Sequence, residues 1–571
     1  MNTRYIIYKN IMVKVITILF LMFTITTGTA LAQQAPNIGD AVKQAAPPSK
    51  ESPVKKEKKE IPVIFREDEK SINISDEAKI YIKDFKLESI ASEDEAQLKD
   101  ILTSFRNKEL SMTEITQAAN NVTIFYRNKG YLVAKAYIPK QEAIDGILTI
   151  SVIMGNYGEF SIKNDSPVRD TFLQGVFDEI KKDSPVVTRE GLERAMLLVK
   201  EMPGCNLPKI AISPGAVSGS SDFVINIDKS QRVNGYIMGD NQGSKYTGRK
   251  RAYGGITINS PFGIADKLSL IAMSSEDSGV QNIMMSYGLP VASNGLRAEV
   301  AASRTSYELG GIYSGLDAEG TAEVLEGTIS YPLKRSSREN IDISLNLGYK
   351  DLQDDQNAVG SRNPRKNTSA TMTVGRTSYE NFLGRNLYTD MSGSISVGRL
   401  EIKDEVQKAL NKAGADTDGA YSKLNISLSG NLAINDKLSL MASASIQKAL
   451  MSKNLDAVEQ MFISGGTGVK AYTESVSFDN GYVANMELRY SLPTFYGVKH
   501  EGGVFIDNGW VYAQEDDYVD DDDIMLTDAG LGYYASYKKL FGSVHLAFPI
   551  GKDDAVSDPG TRVLVQVGMS F

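Results

Sequence analysis

The chain has 571 residues, a formal net charge of -9 at neutral pH, two histidines and one cysteine. That length suffices for several domains, the mixed and slightly acidic charge gives no basic footprint for nucleic acid, and the lone Cys205 excludes an internal disulfide framework. Beyond its N-terminal segment the sequence has no apolar run long enough for a membrane helix, so insertion into lipid has to be made by strands, and only a closed barrel pairs every backbone polar group there.

At the N-terminus, Arg4, Lys9 and Lys14 precede an uncharged apolar run over residues 15–27 and the small-residue site Ala30-Leu31-Ala32. This is the pattern of a secretory signal peptide, residues 1–32, cleaved after Ala32. Residues 33–75 read as a lead-in, because Pro36, Pro47, Pro48, Pro53 and Pro62 punctuate a charge-mixed stretch over 50–60 that cannot bury a core. A short helix over 37–45 fits the composition there, and so does disorder.

From Lys79 the pattern changes. Ile80, Ile82 and Phe85 suggest a strand, helices follow over 93–105 and 112–128, the second ending at Lys129-Gly130, and strands follow over 131–137 and 147–153. The order β-α-α-β-β recurs from Glu159, with a strand over 160–162, helices over 171–182 and 188–201, and strands over 209–213 and 223–228. The two units are expected to span 76–157 and 158–228.

After Asp228 helical periodicity stops. Alternating runs over 233–241, 250–259, 266–275, 283–289, 296–307, 322–333, 340–352, 367–378, 386–402, 421–434, 437–448, 481–491, 499–514, 523–537, 541–550 and 561–571 make sixteen strands, an even number as a single-chain bacterial barrel requires. Short turns over 260–265, 290–294 and at Asn435-Asp436 alternate with longer stretches over 353–366, 404–420 and 451–480, which fits short periplasmic turns and longer outer loops. Both ends of the barrel, 229–571, then lie on the periplasmic side. In the last run Thr561, Val563, Val565, Val567, Met569 and Phe571 share the lipid face, with Arg562, Leu564, Gln566, Gly568 and Ser570 on the other.

Several local runs carry a resemblance. In the first small unit they are Tyr126-Arg127-Asn128-Lys129-Gly130-Tyr131, Ala136-Tyr137-Ile138-Pro139, Gln141 and Asp145-Gly146; in the second, Met202-Pro203-Gly204, Ser213-Pro214-Gly215 and Gly219. In the barrel, Ile463-Ser464-Gly465-Gly466 precedes Val469-Lys470-Ala471-Tyr472, and Phe505-Ile506-Asp507-Asn508-Gly509 lies in the thirteenth strand. With these the chain resembles the outer-membrane transporters of two-partner secretion, the haemolysin secretion/activation protein family, within the superfamily that joins polypeptide-transport-associated (POTRA) domains to a barrel. The resemblance covers nearly all of the mature chain. It implies an all-β transmembrane 16-stranded antiparallel barrel with two N-terminal periplasmic α/β POTRA domains.

It also implies that the loop over 451–480 folds back into the barrel, where its tip cation, here Lys470, pairs with Asp507. The family usually has Val-Arg-Gly-Tyr where this chain has Val469-Lys470-Ala471-Tyr472, so a compact ammonium replaces a planar fork and Ala471 restricts the tip. Most of the small-unit motif residues have structural explanations: Gly130 caps a helix, Gly146 and Gly215 shape turns, and Tyr131 packs on the small sheet.

The function implied is export of an unfolded partner exoprotein, whose N-terminal secretion domain docks on POTRA sheet edges. The helix over 37–45 stands where the family has a plug. Outer-membrane lipids are a further partner, as is the barrel assembly machinery, which would read Phe571. No phosphate-binding loop occurs, so no nucleotide or other cofactor is expected. An assembly factor that inserts other barrels shares the architecture, and a diffusion porin accounts for the barrel without residues 79–228. A hydrolase finds no support, because neither His500 nor His545 has a recognisable nucleophile partner. These histidines also lack metal-ligand spacing, and the acidic run over 516–523 lacks the spaced ligands of a calcium loop.

Overall fold

The computed structural model describes residues 36–45, 63–65, 79–518, 523–550 and 560–571. The expected signal peptide and most of the lead-in lie outside the described residues, as does part of the acidic run. No described helix is long and apolar enough to cross a membrane.

The first small unit packs helices Glu95–Ile101 and Met112–Asn128 against a sheet in which Ile147–Ile153 runs between Asp84–Glu88 and Lys135–Tyr137. The longer helix starts on a reciprocal cap: the Ser111 hydroxyl accepts from the Glu114 N–H while the Glu114 carboxylate accepts from the Ser111 N–H. It stops at Gly130, whose φ of +105° lets the Tyr131 N–H return to the Tyr126 carbonyl at 3.1 Å. Tyr126, Leu98, Ile115 and Ile150 fill the core, and Tyr131 packs on it edge-on to Tyr126. The expected single strand around residues 80–85 is two strands, because Lys79–Ile82 pairs with a further short strand, Lys108–Ser111, that the sequence reading missed.

The second unit has its expected helices at Asp170–Asp183 and Arg189–Glu201 and strands at Asn156–Asn164, Lys209–Pro214 and Ser220–Ile227. The first strand begins ahead of the expected join at 157–158, and Tyr157 lies in the second core with Phe177, Phe223 and the buried Cys205. Gly204 takes a φ of +100°. Gly215 does not adopt a left-handed conformation; it matters for space, since a Cβ there would come 2.3 Å from the Ser220 hydroxyl. Within the lead-in, Val63–Phe65 runs parallel to Ile210–Ile212 as an edge strand of this sheet, which the reading of 33–75 as unstructured did not foresee.

All sixteen expected barrel strands are present and close in sequence order. Strands six to nine, Ala318–Arg335, Glu339–Gln356, Ser361–Phe382 and Arg385–Ile402, hold 18, 18, 22 and 18 residues, far more than the roughly ten that span a bilayer. They continue outward as polar ribbon, so the expected loop over 353–366 is strand except at 357–360. Its polar composition suggested a loop, but a ribbon beyond the lipid has no need of apolar alternation.

The last strand, Arg562–Ser570, alternates as expected: Val563 and Val567 face outward and Leu564 and Gln566 are buried inward. It meets the first strand, Val233–Asp240, over Tyr236–Asp240, and Gly235 and Phe571 continue the ladder by exchanging backbone hydrogen bonds at 3.0 and 2.9 Å. Asn241 extends this seam with its side chain, donating to the Val563 carbonyl at 2.8 Å and accepting from the Val565 N–H at 2.7 Å.

The second unit docks on the periplasmic turns. Arg194 donates to the carbonyls of Asn294 and Pro332 at 3.1 and 2.9 Å, and Arg335 pairs with Glu201 at 2.8 Å. Replacing Asn241 by Ala removes a donor and an acceptor that together substitute for a ladder pair, so it should cost about 1–3 kcal/mol. The expected result is a lower temperature for conversion from the compact to the unfolded form on denaturing gels, with an unchanged transition counting against the clasp.

Candidate functional site: the lumen and its inward loop

Strand alternation points Phe505, Asp507 and Gly509 of the thirteenth strand, Lys499–Tyr512, into the lumen, and all three are buried. The 450–479 connection folds inward to meet them. Its tip is held by its own backbone: Gly465 N–H bonds to the Tyr472 carbonyl at 2.6 Å, Val469 N–H to the Ile463 carbonyl at 2.8 Å, and Gly468 N–H to the Gly465 carbonyl at 3.0 Å. Gly465 has a φ of +82°, and a Cβ on Gly468 would come 2.2 Å from the Ile463 carbonyl, so the return path needs glycine at both positions. A Cβ on Gly466 would strike Gln242 of the first outer loop.

Lys470 Nζ lies 2.8 Å from Asp507 Oδ2, with Asp507 fully buried, and stands 4.6 Å from the centre of the Phe505 ring. The second Asp507 oxygen accepts from the Asn485 amide at 2.8 Å, and the same amide donates to the Gly468 carbonyl at 2.9 Å. Asn485 therefore takes the oxygen that the second arm of a guanidinium would have taken, which is how a lysine serves here. Gly509 makes room for the tip, since a Cβ there would sit 2.9 Å from Ile463 Cβ and 3.3 Å from Val469 Cγ2. Phe505 lies across Gly530 in the same way.

Ala471 lies outside the left-handed region, so the expected restriction at the tip costs nothing; its N–H donates to Asp528 Oδ2 at 2.5 Å. Val469, Ala471 and Tyr472 are buried with Ile463 and Phe505 in one cluster. Asp528 is the site residue that sequence reasoning missed. It faces Asp507 across the strand pair, and its other oxygen is buried without a hydrogen-bond partner. Alternation alone places Asp528 inward, but only the register sets it opposite Asp507.

The helix Ile38–Ala45 lies inside the lumen, its Ile38, Ala41 and Ala45 buried against Met238, Tyr307 and Leu352 of the wall. The Asn37 side chain caps it, accepting from the Gly39 N–H at 2.8 Å. Asp354 accepts from the Ile38 N–H at 2.8 Å and the Tyr307 hydroxyl at 2.6 Å, and it pairs with Arg365. Arg365 also pairs with Asp456 of the inward loop at 2.7 Å, so one wall residue ties helix and loop together. At the other helix end, Arg251 donates to the Gln44 carbonyl at 2.9 Å and Thr247 to the Gln44 side chain at 3.0 Å.

Further along the loop, Glu459 receives Lys350 and Lys423 at 2.6 and 2.8 Å, and Glu474 accepts from the Ser244 hydroxyl and the Lys245 N–H. None of these loop carboxylates stood out in the sequence, because a loop has no periodicity to say which of its charges turn inward.

The motif residues of the small units lie away from this site. Gly130, Tyr131, Pro139 and Gly146 belong to the first unit, Pro203, Gly204, Pro214 and Gly215 to the second, and none contacts the inward loop in the described structure. His545 bonds to the Tyr534 hydroxyl at 2.8 Å, and His500 to the Tyr533 hydroxyl at 3.1 Å.

Comparison with known proteins fits this geometry. The family described as haemolysin secretion/activation protein ShlB/FhaC/HecB matches residues 219–534, more than half of the chain. The chain belongs to this family. The ShlB-type POTRA domain matches residues 80–155. The chain is similar to the heme/hemopexin transporter protein HuxB of Haemophilus influenzae (strain 86-028NP), 28% identical over 415 residues that make up 72% of each chain. It is also similar to the outer membrane transporter CdiB of Escherichia coli O6:K15:H31 (strain 536 / UPEC), 24% identical over 501 residues, 83% of this chain and 80% of that one. The solved structure of CdiB from Escherichia coli has the same fold, with a TM-score of 0.70 at 21% identity over 94% of this chain and 95% of the other. This protein is accordingly an outer-membrane transporter with its POTRA units in the periplasm, and the assembly-factor and porin readings are not favoured.

A double-mutant cycle on Lys470→Ala and Asp507→Asn should be non-additive by about 1–3 kcal/mol, the range for contacting buried groups, when read as protease sensitivity of the 450–479 loop from outside the cell. Simple additivity would count against the pair as the holder of the loop.

Proposed function

We propose that this protein passes one extended partner exoprotein from periplasm to cell surface, and that the helix Ile38–Ala45 and the inward loop together close its lumen at rest. The observation that carries the reading is the helix seated inside the barrel, bonded at its first turn to Asp354 and at its last to Arg251 and Thr247. Partner recognition falls to the periplasmic units. One edge of the second sheet is taken by Val63–Phe65, so the Asn156–Asn164 edge and the Asp84–Glu88 and Lys135–Tyr137 edges of the first sheet are the ones at which a partner strand can add. The similar proteins are named for heme/hemopexin transport and outer-membrane transport, which supports a secreted cargo without fixing which one.

Passage needs the helix to leave, and the contacts suit departure into water. Beside the small apolar patch of Ile38, Ala41 and Ala45 they are hydrogen bonds to Asp354, Arg251 and Thr247, which water replaces, and a net bond to a charged group is worth about 1.5–3 kcal/mol. With no phosphate-binding loop motif in the sequence, folding of the cargo outside supplies the direction.

One residue of the helix works against closure. Lys43 Nζ is buried without a hydrogen-bond partner, and burial lowers its pKa from 10.5 to about 8, against the opposing pull of Asp40, Asp456 and Glu459 and with the help of Lys423. Below about 8 the ammonium is charged both in the lumen and in water, and the seated helix bears the full net penalty of holding it, about 3 kcal/mol. Between about 8 and 10.5 the seated form loses its proton first, so closure strengthens as pH rises through that window.

In planar bilayers, deleting residues 33–60 should raise the open fraction, and an unchanged closed fraction would sink the plug. The intact protein should close further between pH 7 and 9.5. Lys43→Met should already be more closed at pH 7 and lose that pH response, whereas a response kept in the variant assigns the titration to another group.

A further inference from the structure

The outward face of the barrel locates the membrane. On the strand Ala318–Arg335, Leu325, Ile329 and Leu333 are each about half exposed, at 53%. Cross-strand pairing sets Leu345 opposite Ile329 and Ile343 opposite Tyr331, and next to them Met372 and Val374. These rows form an apolar belt, and Tyr331 lies beside Leu333 at its periplasmic end, the place of the aromatic girdle that marks the headgroup level.

Arg194 of the helix Arg189–Glu201 stands 5.9 Å over the Tyr331 ring. The second periplasmic unit therefore reaches past the rim of the pore onto the lipid-facing side of the wall. Between it and the wall is a cavity of about 310 Å³. Beside Tyr331 and Leu333, its charged lining is Lys334 and Arg335 from the wall and Glu179, Asp183, Glu190 and Arg194 from the second unit.

We propose that this cavity holds the headgroup of a phospholipid from the periplasmic leaflet, of the phosphoethanolamine class. Its depth matches the headgroup layer, and the exposed Leu333 continues into the apolar belt along which acyl chains would lie. The lining carries both signs, which suits a zwitterion: phosphate toward Arg194 and Lys334, ammonium toward Asp183 and Glu190. The three carboxylates of the lining oppose a purely anionic headgroup. A choline headgroup has no N–H to donate to them, so a primary ammonium is the better match. A lipid seated here would brace the helices Asp170–Asp183 and Arg189–Glu201 against the wall, beside the bonds from Arg194 to Asn294 and Pro332. The proposal depends on the barrel standing in its membrane and is independent of what the pore exports.

The test is native mass spectrometry of the full chain released from nanodiscs containing equal parts phosphatidylethanolamine, phosphatidylcholine and phosphatidylglycerol. The expected result is a retained phosphatidylethanolamine in excess of the other two. Equal retention of all three, as an ordinary annular shell would give, overturns the assignment and needs no variant to read. Asp183→Asn with Glu190→Gln should reduce the excess over phosphatidylglycerol by about fivefold, the scale of a partly exposed ion pair. The heat-dependent gel shift of the barrel checks that this variant is folded. An excess unchanged in the folded variant places the lipid elsewhere and also overturns the proposal.

Discussion

Closing sixteen strands into a ring satisfies every backbone group in lipid, and it leaves a lumen wider than side chains alone fill. The rest of this structure answers that constraint. The chain fills its own interior with the helix Ile38–Ala45, the inward loop and the first outer loop, all of which bring polar backbone and charged side chains into a confined space. Each such group needs a partner, because an unpaired buried charge costs far more than a paired one. Hence the pairs of Lys470 with Asp507, of Arg365 with Asp354 and Asp456, and of Glu459 with Lys350 and Lys423.

A filling of this kind differs from an apolar core in what happens when it leaves. An apolar helix drawn into water would lose its full burial energy, whereas paired charges exchange one set of polar partners for another. The small apolar patch around Ile38, Ala41 and Ala45 keeps the helix seated, and the hydrogen bonds to Asp354, Arg251 and Thr247 give it one orientation. Arg365 has a particular place here: by meeting Asp354, which holds the first turn of the helix, and Asp456, which belongs to the loop, it makes the seating of each depend on the other. The same balance governs the tip, where Asn485 completes what a lysine cannot reach alone.

Much of the architecture was legible from residues. The barrel strands were found because lipid on one side and polar lumen on the other impose a period of two, as Val563, Gln566 and Val567 display in the last strand. Where one solvent surrounds both faces the signal vanished, and the outward ribbons around 353–366 read as loop. The strand Lys108–Ser111 escaped notice because four residues are too few for any period, and Val63–Phe65 because its partner lies nearly 150 residues away, at Ile210–Ile212.

The sequence by itself determined the class of solution: no apolar helix, sixteen alternating runs, two α/β units ahead of them, and a tip lysine and a strand aspartate inside a recognisable family pattern. Each of these is a local property, written in the spacing of neighbouring residues. Only the tertiary structure decided which charges meet. Asp528 stands opposite Asp507, Asn485 takes the second carboxylate oxygen, Arg365 joins helix to loop, and Arg194 reaches the lipid-facing rim, because register, barrel closure and docking bring together residues that no spacing along the chain connects.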